Sequence, residues 1–351
     1  MRVRGNDIQR YLEDLIRAGI SSSAAALVGT PEKIEWEGAA GEARAGIPAT
    51  TSTVFDFASL TKPLVGTLAI HLDAEGLLPL SLPIGEVWPA ANRKLAKKTL
   101  ESLLRHRSGI MAYAPLYHLC RSREDVLALL LDERWTGARV GTYSDLGYLL
   151  WQLSAERRLG EPLSDLLRSR VLLPLGLSDV LPSPGDRPEV AESRMDTGME
   201  ARLAALRGLT VDILPPPPIG LPQDGNARFM HRLGAGLTAH SGLFGRLRDL
   251  WRLGAEWLEP AKVLKPEDVS AALAGGGPFA LGWWRRTLKG SAGKALAPAS
   301  FGHTGFAGGS LWIDPEKRRI AVLLSHRIGP FSDMNRWRRR FHSVALAPRR
   351  G

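Results

Sequence analysis

Segments with strand character lie near the two ends of this chain, and helical segments fill the long stretch between them. Near the N-terminus, residues 24–29 and 34–36 read as strands joined by a tight connection. Near the C-terminus, residues 279–284, 309–313 and 320–325 have the same character. The distribution predicts one α/β domain that is built from both ends of the chain and interrupted by a helical insertion.

Helical patterns dominate from about residue 99 onward. Thr99 is a predicted helix cap, and Ser122 with Asp125 forms a start that resembles a capping box. Residues 182–225 differ, because they are irregular and include the proline run 215–218, which fits neither a helix nor a central strand. We predict that this segment is a long surface excursion.

Composition and charge are ordinary for a globular protein, with 44% hydrophobic and 23% charged residues. Lys and Arg number 46 against 36 Asp and Glu, which gives a formal net charge of +10. The densest basic cluster, Arg336 with Arg338, Arg339 and Arg340, falls on a terminal helix predicted at 333–347. We interpret the cluster as the solvated face of that helix and expect no nucleic-acid partner.

The N-terminal segment runs directly into an amphipathic helix, with Ile8, Leu12 and Leu15 on its apolar face. It has neither the unbroken apolar run of a secretory signal nor a stretch of transmembrane length. We expect no membrane span and a cytoplasmic location, unless a leader precedes this sequence.

Cysteine and histidine usage predicts no metal site. Cys120 is the only cysteine, so an intramolecular disulfide and a C-x-x-C site are both excluded. The eight histidines show no zinc-binding spacing. We expect neither a metal nor a cofactor.

The pair Ser59 and Lys62 is the strongest chemical signal. The two residues stand three apart at the start of a helical pattern, so their side chains share one face. Lysine can accept a proton from serine only when it is neutral, and at its reference pKa of about 10.4 only ~0.04% is neutral at pH 7. Lowering that pKa to about 7 requires roughly 4.6 kcal/mol of desolvation and neighbouring charge. The pair therefore predicts a nucleophile and its base only inside a pocket.

This spacing is not specific by itself. It recurs at Ser291 and Lys294, in a glycine-rich polar stretch that we predict to be a loop. The alternative for Ser59 is an ordinary serine at a helix start. Other elements of the chain must therefore decide between the two interpretations.

Two further elements could line the same site. Tyr143 and Asp145 flank a serine just before a helix, where Tyr143 could direct its hydroxyl into a cleft. His303, Thr304 and Gly305 begin a strand region, and the two small residues leave room for a substrate along the strand edge. The order of the three elements is a more specific signal than any one of them.

In this order the motifs resemble those of the serine β-lactamase and penicillin-binding-protein superfamily, in its branch of class C β-lactamase-like esterases and D-alanyl-D-alanine carboxypeptidases. The motifs of that superfamily are S-x-x-K, then Y-x-N or S-x-N, then K-T-G or H-T-G. The resemblance runs from about residue 20 to the C-terminus. It implies an α+β fold: an α/β/α sandwich around a mainly antiparallel sheet, with an all-helical insertion domain.

The resemblance also implies domain boundaries. We expect the sandwich domain at residues 1–80 and 262–351, and a mainly helical insertion domain at residues 81–261. The active site is expected in the cleft between the two domains. The oligomeric state stays open.

The resemblance implies roles for particular residues. Ser59 would be the acylated nucleophile, and Lys62 and Tyr143 would share general-base and general-acid work. The backbone N–H groups of Ser59 and Phe306 would form the oxyanion hole. No cofactor would take part.

Two residues depart from the β-lactamase pattern and bear on the substrate. Asp145 stands where asparagine is expected, and His303 stands where lysine is expected. With Thr304 and Gly305 they would contact the substrate. Both changes weaken recognition of a free carboxylate, because a neutral imidazole replaces a cation and an ionised Asp145 would repel an anion.

The sequence therefore predicts a serine hydrolase that forms an acyl-enzyme, a carboxylesterase acting on small acyl esters. A D-alanyl-D-alanine carboxypeptidase or a β-lactamase is the alternative, and a catalytically silent binding protein on the same scaffold is the second alternative. An α/β-hydrolase is disfavoured because G-x-S-x-G does not occur in the chain. The G-x-G-x-x-A match at residues 234–239 lacks a preceding buried strand, so a dinucleotide site is disfavoured too.

Overall fold

A seven-stranded antiparallel sheet forms the centre of the protein, with strands in the order β3-β2-β1-β10-β9-β8-β7. The computed structural model describes residues 5–329 and 333–346. The strands of this sheet are β1 (Ser21–Gly29), β2 (Ile34–Arg44), β3 (Ile47–Pro48), β7 (Trp284–Arg285), β8 (Phe301–Thr304), β9 (Gly308–Asp314) and β10 (Arg319–Arg327).

A second, three-stranded sheet has the order β4-β6-β5. Its strands are β4 (Phe55–Asp56), β5 (Leu181–Pro182) and β6 (Leu243–Gly245). β4 delivers the chain directly to Ser59, so this small sheet fixes the approach to the predicted nucleophile.

The helices lie at both ends of the chain and between the two groups of strands. They are α1 (Gly5–Arg17), α2 (Thr61–Ala74), α3 (Ile84–Val87), α4 (Arg93–Ala96), α5 (Leu100–Leu104), α6 (Leu116–Leu119), α7 (Arg123–Leu131), α8 (Asp145–Leu159), α9 (Leu163–Leu167), α10 (Gly198–Ala205), α11 (Gly225–Met230), α12 (Leu247–Leu258), α13 (Pro266–Leu273) and α14 (Met334–Ala345). Short 3₁₀ or π segments occupy Ala58–Leu60, Glu133–Trp135, Arg168–Leu172 and His231–Ala235.

The central pairing joins the two ends of the chain, because β1 is hydrogen-bonded to β10 as well as to β2. Successive residues of β1 point to opposite faces, and both faces are buried. Ala24, Ala26 and Val28 pack in a cluster with α1 and α14, whereas Ala25 and Leu27 belong to the larger core that includes α2 and α12. The result is an α/β/α sandwich around an antiparallel sheet, so the predicted fold class is confirmed.

Several predicted elements are found where the sequence placed them. α12 covers the predicted helix at residues 247–258, and Ser122 and Asp125 form a complete capping box at the start of α7. The segment at residues 34–36 extends much further than predicted, because β2 continues to Arg44. The terminal helix α14 is also present, although residue 347, its predicted end, lies outside the described residues.

The segment at residues 182–225 is not wholly an irregular surface excursion. It contains α10, and Ala204 and Glu200 of that helix are buried. The prediction failed here because the proline run dominates the local pattern, whereas the helix precedes it.

The predicted domain boundaries stay a prediction. α12 falls inside the predicted insertion at residues 81–261, yet it packs against β1, β9 and β10 of the large sheet. Its packing favours assigning α12 to the sandwich. In the described residues, no helix is long and apolar enough to cross a membrane.

Two glycines let helix α2 approach the segment that precedes β7. A Cβ on Gly66 would lie 3.0 Å from the Cα of Gly282, and a Cβ on Gly282 would lie 3.2 Å from the Cα of Gly66. Gly282 also has a φ of 76°, which disfavours other residues. This close backbone contact holds the helix that carries Lys62 against the strand side of the sandwich.

Gly66→Ala should therefore destabilise the protein. Alanine has a higher helix propensity than glycine by about 1 kcal/mol, but overpacking a dense core typically costs ~1–3 kcal/mol. The new Cβ would meet the backbone of Gly282, which cannot move aside as a side chain can. We expect a lower free energy of unfolding in a denaturant titration. Gly276→Ala is the matched control, because a Cβ there meets no atom within 4 Å. If Gly66→Ala and the parent protein have equal free energies of unfolding, α2 and the segment before β7 can move apart without loss of stability.

Candidate active site

The backbone before Ser59 has an unusual conformation that is held by a buried carboxylate. Ala58 has a φ of 47°, a value that is uncommon for a residue with a Cβ. The Oδ1 atom of Asp56 accepts a hydrogen bond from Ala58 N at 2.8 Å, and its Oδ2 atom accepts one from Gln223 N at 2.8 Å. Burial raises the pKa of Asp56 to about 6 despite these bonds. The predicted nucleophile, Ser59, thus follows a strained residue whose conformation is held by Asp56.

Lys62 is completely buried beside Ser59. Its Nζ donates to Ser59 Oγ at 2.9 Å and to the carbonyl of His240 at 2.7 Å, and it forms an ion pair with Asp145 Oδ1 at 2.7 Å. Burial lowers the pKa of Lys62, and the Asp145 carboxylate opposes that shift. The pocket that the lysine–serine pair requires is therefore present, and the direction of the shift favours a base.

Tyr143 completes the arrangement around the serine. Tyr143 lines the same cavity as Ser59, and the centre of its ring lies 5.0 Å from Lys62 Nζ. Burial, with the Asp145 charge second, raises the pKa of Tyr143 well above its ordinary value. The phenol is thus a protonated donor in the resting site, held between the rings of His106 and Trp284 with centroid distances of 4.5 Å and 5.4 Å.

The two expected oxyanion donors are available. Among the hydrogen bonds that residues 5–329 and 333–346 make, neither Ser59 N nor Phe306 N donates to an acceptor. The turn that carries Phe306 lies against the nucleophile segment, since a Cβ on Gly305 would come within 2.7 Å of the Phe57 carbonyl oxygen. Arg338 braces this turn, donating through Nη2 to Gly305 O at 2.7 Å and through Nε to Gly308 O at 3.3 Å.

These groups open into one cavity of about 490 Å³. Ser59, Tyr143, Asp145, Thr304, Gly305 and Phe306 all line it, so the structure brings together six of the residues chosen from the sequence. Lys62 lies just behind the wall. The rest of the lining is Ala112, Tyr113, Met199, Glu200, Leu203, Asp224, Trp284, Arg327, Asn335 and Arg338.

The family follows from this chain's similarity to known proteins. A family model described as beta-lactamase matches residues 8–345, which is nearly the whole chain. The chain belongs to the beta-lactamase family. It is a hydrolase of the serine β-lactamase and penicillin-binding-protein type, and the predicted resemblance is confirmed.

Relatives in this family carry more than one activity in their names. An Escherichia coli K12 protein named "Putative D-alanyl-D-alanine carboxypeptidase" is 24% identical over 321 residues, which cover 80% of this chain and 70% of that protein. Esterase EstB of Burkholderia gladioli is 28% identical over 205 residues, covering 49% of this chain and 51% of the esterase.

A solved structure extends the fold comparison over the whole chain. The structure described as EstCE1, a hydrolase with promiscuous acyltransferase activity, superposes with a TM-score of 0.77 at 17% identity. The match covers 97% of this chain and 98% of that one. At this identity the likeness establishes the β-lactamase-like fold and not the reaction.

His303, at the position where many β-lactamases carry lysine, is not among the residues that line the cavity. Its Nε2 accepts a hydrogen bond from Trp284 Nε1 at 3.0 Å, and its Nδ1 lies 2.9 Å from Thr304 O. Because Trp284 can only donate, the proton must be on Nδ1, and both ring nitrogens are engaged. Burial lowers the pKa of His303 to about 3. Its contact with substrate stays a prediction, and the observed bonds give it a role in holding Trp284 and Thr304.

Asp145 stands where β-lactamases carry asparagine, and here its carboxylate is bound to Lys62. An ion pair across 2.7 Å neutralises much of its charge toward the cavity. The predicted repulsion of an anionic substrate is therefore weaker than the sequence alone suggests.

Three buried charged side chains that line the cavity were not predicted from the sequence: Glu200, Arg327 and Arg338. Arg338 also corrects the interpretation of the basic cluster. It lies on the buried face of α14 with Met334 and Phe341, whereas Arg336 and Arg340 are exposed. Its helical spacing from Met334 and Phe341 could have placed it on that face.

Metal ligands are not grouped in the described part of the chain. No cluster of three or more His, Cys, Asp or Glu side chains there could hold an ion. The second S-x-x-K match, Ser291 to Lys294, lies outside any helix or strand, as the predicted loop requires.

The buried neutral imidazole predicts how stability depends on pH. The folded pKa of His303 is about 3, below its ordinary value of 6.5, so the unfolded state takes up a proton that the folded state refuses. The contribution is fully present above pH ~6.5 and is lost as pH falls, at about 1.4 kcal/mol per pH unit. His303→Gln should make the free energy of unfolding fall less steeply between pH 6 and 4, and the buried His326 and His342, whose pKa values burial lowers to about 4, should keep part of the slope.

Ser310→Ala, a buried change on the neighbouring strand β9, is the control for that experiment. It should alter the free energy of unfolding at every pH alike and leave the slope unchanged. An unchanged slope in His303→Gln would mean that His303 titrates equally in the folded and unfolded states.

Proposed function

We propose that this protein is a carboxylesterase that hydrolyses small acyl esters through an acyl-enzyme on Ser59. The observation that carries the proposal is the Ser59 hydroxyl itself. It accepts a hydrogen bond from buried Lys62 at 2.9 Å and lines the same cavity as Tyr143. Within the described residues, the backbone N–H groups of Ser59 and Phe306 have no acceptor.

In acylation, the Ser59 proton passes to Lys62 Nζ as the bond between Oγ and the acyl carbon forms. Tyr143 gives its proton to the departing alkoxide oxygen as the ester C–O bond breaks, and Lys62 then returns a proton to Tyr143. In deacylation, a water molecule gives a proton to Lys62 Nζ as its oxygen bonds to the acyl carbon. The bond between the acyl carbon and Ser59 Oγ then breaks, and Tyr143 gives its proton to Oγ. The N–H groups of Ser59 and Phe306 stabilise the oxyanion in both steps, at about 2.7–4 kcal/mol for one such donor.

An ester is preferred as the substrate because no lysine is among the described residues that line the cavity. The side chain at the position where many β-lactamases carry lysine is His303, which burial keeps neutral and whose nitrogens are occupied by Trp284 and Thr304. A simple ester needs no fixed cation there. A penicillin or a D-Ala-D-Ala peptide carries a carboxylate that would have to find another partner.

A carboxypeptidase or β-lactamase is the second candidate, and one observation favours it. Arg327 is buried at the cavity wall, its Nε has no partner in the described residues, and its Nη2 reaches only Met199 Sδ at 3.6 Å. A guanidinium with unused donors suits a carboxylate. Arg338 is less suited, since its donors already bind Gly305, Gly308 and Asn335.

A catalytically silent binding protein is disfavoured. Ser59, Lys62 and Tyr143 are all present and in mutual contact, and a binding site has no need of a buried lysine against a serine hydroxyl.

Ser59→Ala tests the nucleophile. It should lower kcat/KM for p-nitrophenyl butyrate by about 10³-fold or more, because the remaining groups cannot form the acyl-enzyme. It should also abolish the mass increase of the intact protein with a fluorophosphonate probe. Ser291→Ala, at the second S-x-x-K match, is the control and should keep both activities. Full labelling of Ser59→Ala would refute the assignment.

A substrate comparison separates the two candidates. The value of kcat/KM is measured for p-nitrophenyl butyrate, nitrocefin and a D-Ala-D-Ala peptide. We expect it to be highest for p-nitrophenyl butyrate. A clear preference for either carboxylate-bearing compound would promote the second candidate. In that case Arg327→Gln should lower the ratio of kcat/KM for the carboxylate-bearing substrate to kcat/KM for the ester by about tenfold. Arg327→Lys, which keeps the cation, should lower this ratio less.

A further inference from the structure

One wall of the active-site cavity is acidic, and the catalytic steps do not use it. Glu200 comes from α10, Asp224 precedes α11, and Asp145 begins α8. All three line the cavity that contains Ser59. We call these three residues the acidic wall.

Two members of the acidic wall have polar partners inside the protein. Asp145 is ion-paired with Lys62 at 2.7 Å. Asp224 lies 3.2 Å from His240 Nε2 and accepts a hydrogen bond from Ala227 N at 2.8 Å. Neither carboxylate therefore lacks a partner.

Glu200 differs from these two. It is only 4% exposed, and its Oε1 atom accepts a hydrogen bond from Gly225 N at 2.8 Å. Its Oε2 atom is buried and has no hydrogen-bond partner within the described residues. A buried polar atom of this kind is rarely left without a partner, so a donor brought by a ligand would satisfy it.

The surroundings of Glu200 favour a cationic donor. Burial first, and the Asp224 charge second, raise the pKa of Glu200 well above its ordinary value, and Asp145 adds to this. The empty cavity therefore favours the neutral acid, and a cation that binds beside Glu200 displaces the carboxyl proton. A carboxyl surrounded by other carboxylates gains most from a positive charge. Arg228 is the protein cation that acts on Glu200, and its Nη1 donates to Pro215 O at 3.0 Å. Its Nε and Nη2 have no hydrogen-bond partner within the described residues, so Arg228 does not satisfy Glu200 Oε2, and Arg228 is not among the residues that line the cavity.

One residue of the acidic wall, Asp145, lies close to Ser59. Asp145 shares the Lys62 amine with Ser59, and the Asp145 charge reaches Glu200. A cavity of about 490 Å³ is within the usual size range for a small ligand. An acyl group bonded to Ser59 could therefore extend along this wall.

We propose that Glu200 forms a subsite for a free ammonium group on the acyl part of the substrate, so that the enzyme acts on aminoacyl esters. This inference rests on the proposed function and narrows its substrate class. The position of the amino group along the acyl chain is set by the span from Ser59 to Glu200.

The test uses methyl esters with one carbon skeleton: methyl hexanoate, methyl 2-aminohexanoate and methyl 6-aminohexanoate. Acid release at pH 7 is followed in a pH-stat. We expect at least one amino ester to exceed methyl hexanoate about tenfold in kcat/KM. Acetylation of its amino group, which removes the charge, should abolish the preference.

Glu200→Gln tests the residue, since it keeps the shape and the acceptor for Gly225 N but cannot carry a charge. It should lower the ratio of kcat/KM for the amino ester to kcat/KM for methyl hexanoate about tenfold. Glu267→Gln, at an exposed position on α13, is the matched control and should keep the ratio. If Glu200→Gln does not fold, Glu200→Asp serves instead: its withdrawn carboxyl should raise KM for the amino ester, and an unchanged KM would overturn the proposal.

The outcomes separate this inference from the proposed function. Hydrolysis of methyl hexanoate without any preference for an amino ester, or a preference that survives unchanged in Glu200→Gln, overturns the Glu200 subsite alone. Failure to hydrolyse any ester, with no labelling of Ser59, overturns both.

Discussion

The burial of one lysine amine is the constraint on which the rest of the site depends. Lys62 is fully enclosed, and the three oxygen atoms around it come from separate parts of the chain: Ser59 before α2, Asp145 at the start of α8, and the carbonyl of His240 before β6. An isolated ammonium in such a place would be very costly. The contacts therefore hold the sandwich and the helical region in one relative position, and burial also makes the amine a better base.

Buried polar contacts also fix the backbone around the predicted nucleophile. Asp56 binds Ala58 N on one side and Gln223 N on the other, so the left-handed turn before Ser59 is fixed by a residue from β4 and a loop far along the chain. Strain of this kind persists only where the surroundings over-determine it. Arg338 does the equivalent work for the turn that carries Phe306. Both predicted oxyanion donors are thus positioned by buried charged side chains, Asp56 and Arg338.

Local patterns in the sequence were enough to identify β1, β2, β9 and β10, the S-x-x-K pair and the two later motifs. These features depend on residues close together in the sequence, such as the spacing of Ser59 and Lys62. The strand predicted at residues 279–284 was wrong for most of its length, because β7 begins only at Trp284. The bonds of His303 could not be predicted, because its partner Trp284 lies on a neighbouring strand. Glu200 was missed for a related reason: its helix is short, and its burial depends on packing against residues near Gly225.

Pairing of β1 with β10 also determines when in synthesis the active site can exist. The nucleophile is made early, at residue 59, but the strand that closes the sheet beside β1 and the turn that carries Phe306 emerge only after residue 300. Contacts between such distant residues close a very large loop, and folds dominated by them form slowly. A nascent chain will therefore carry Ser59 and Lys62 long before the turn that contains Phe306, and the predicted site can assemble only after residues 301–327 have been made.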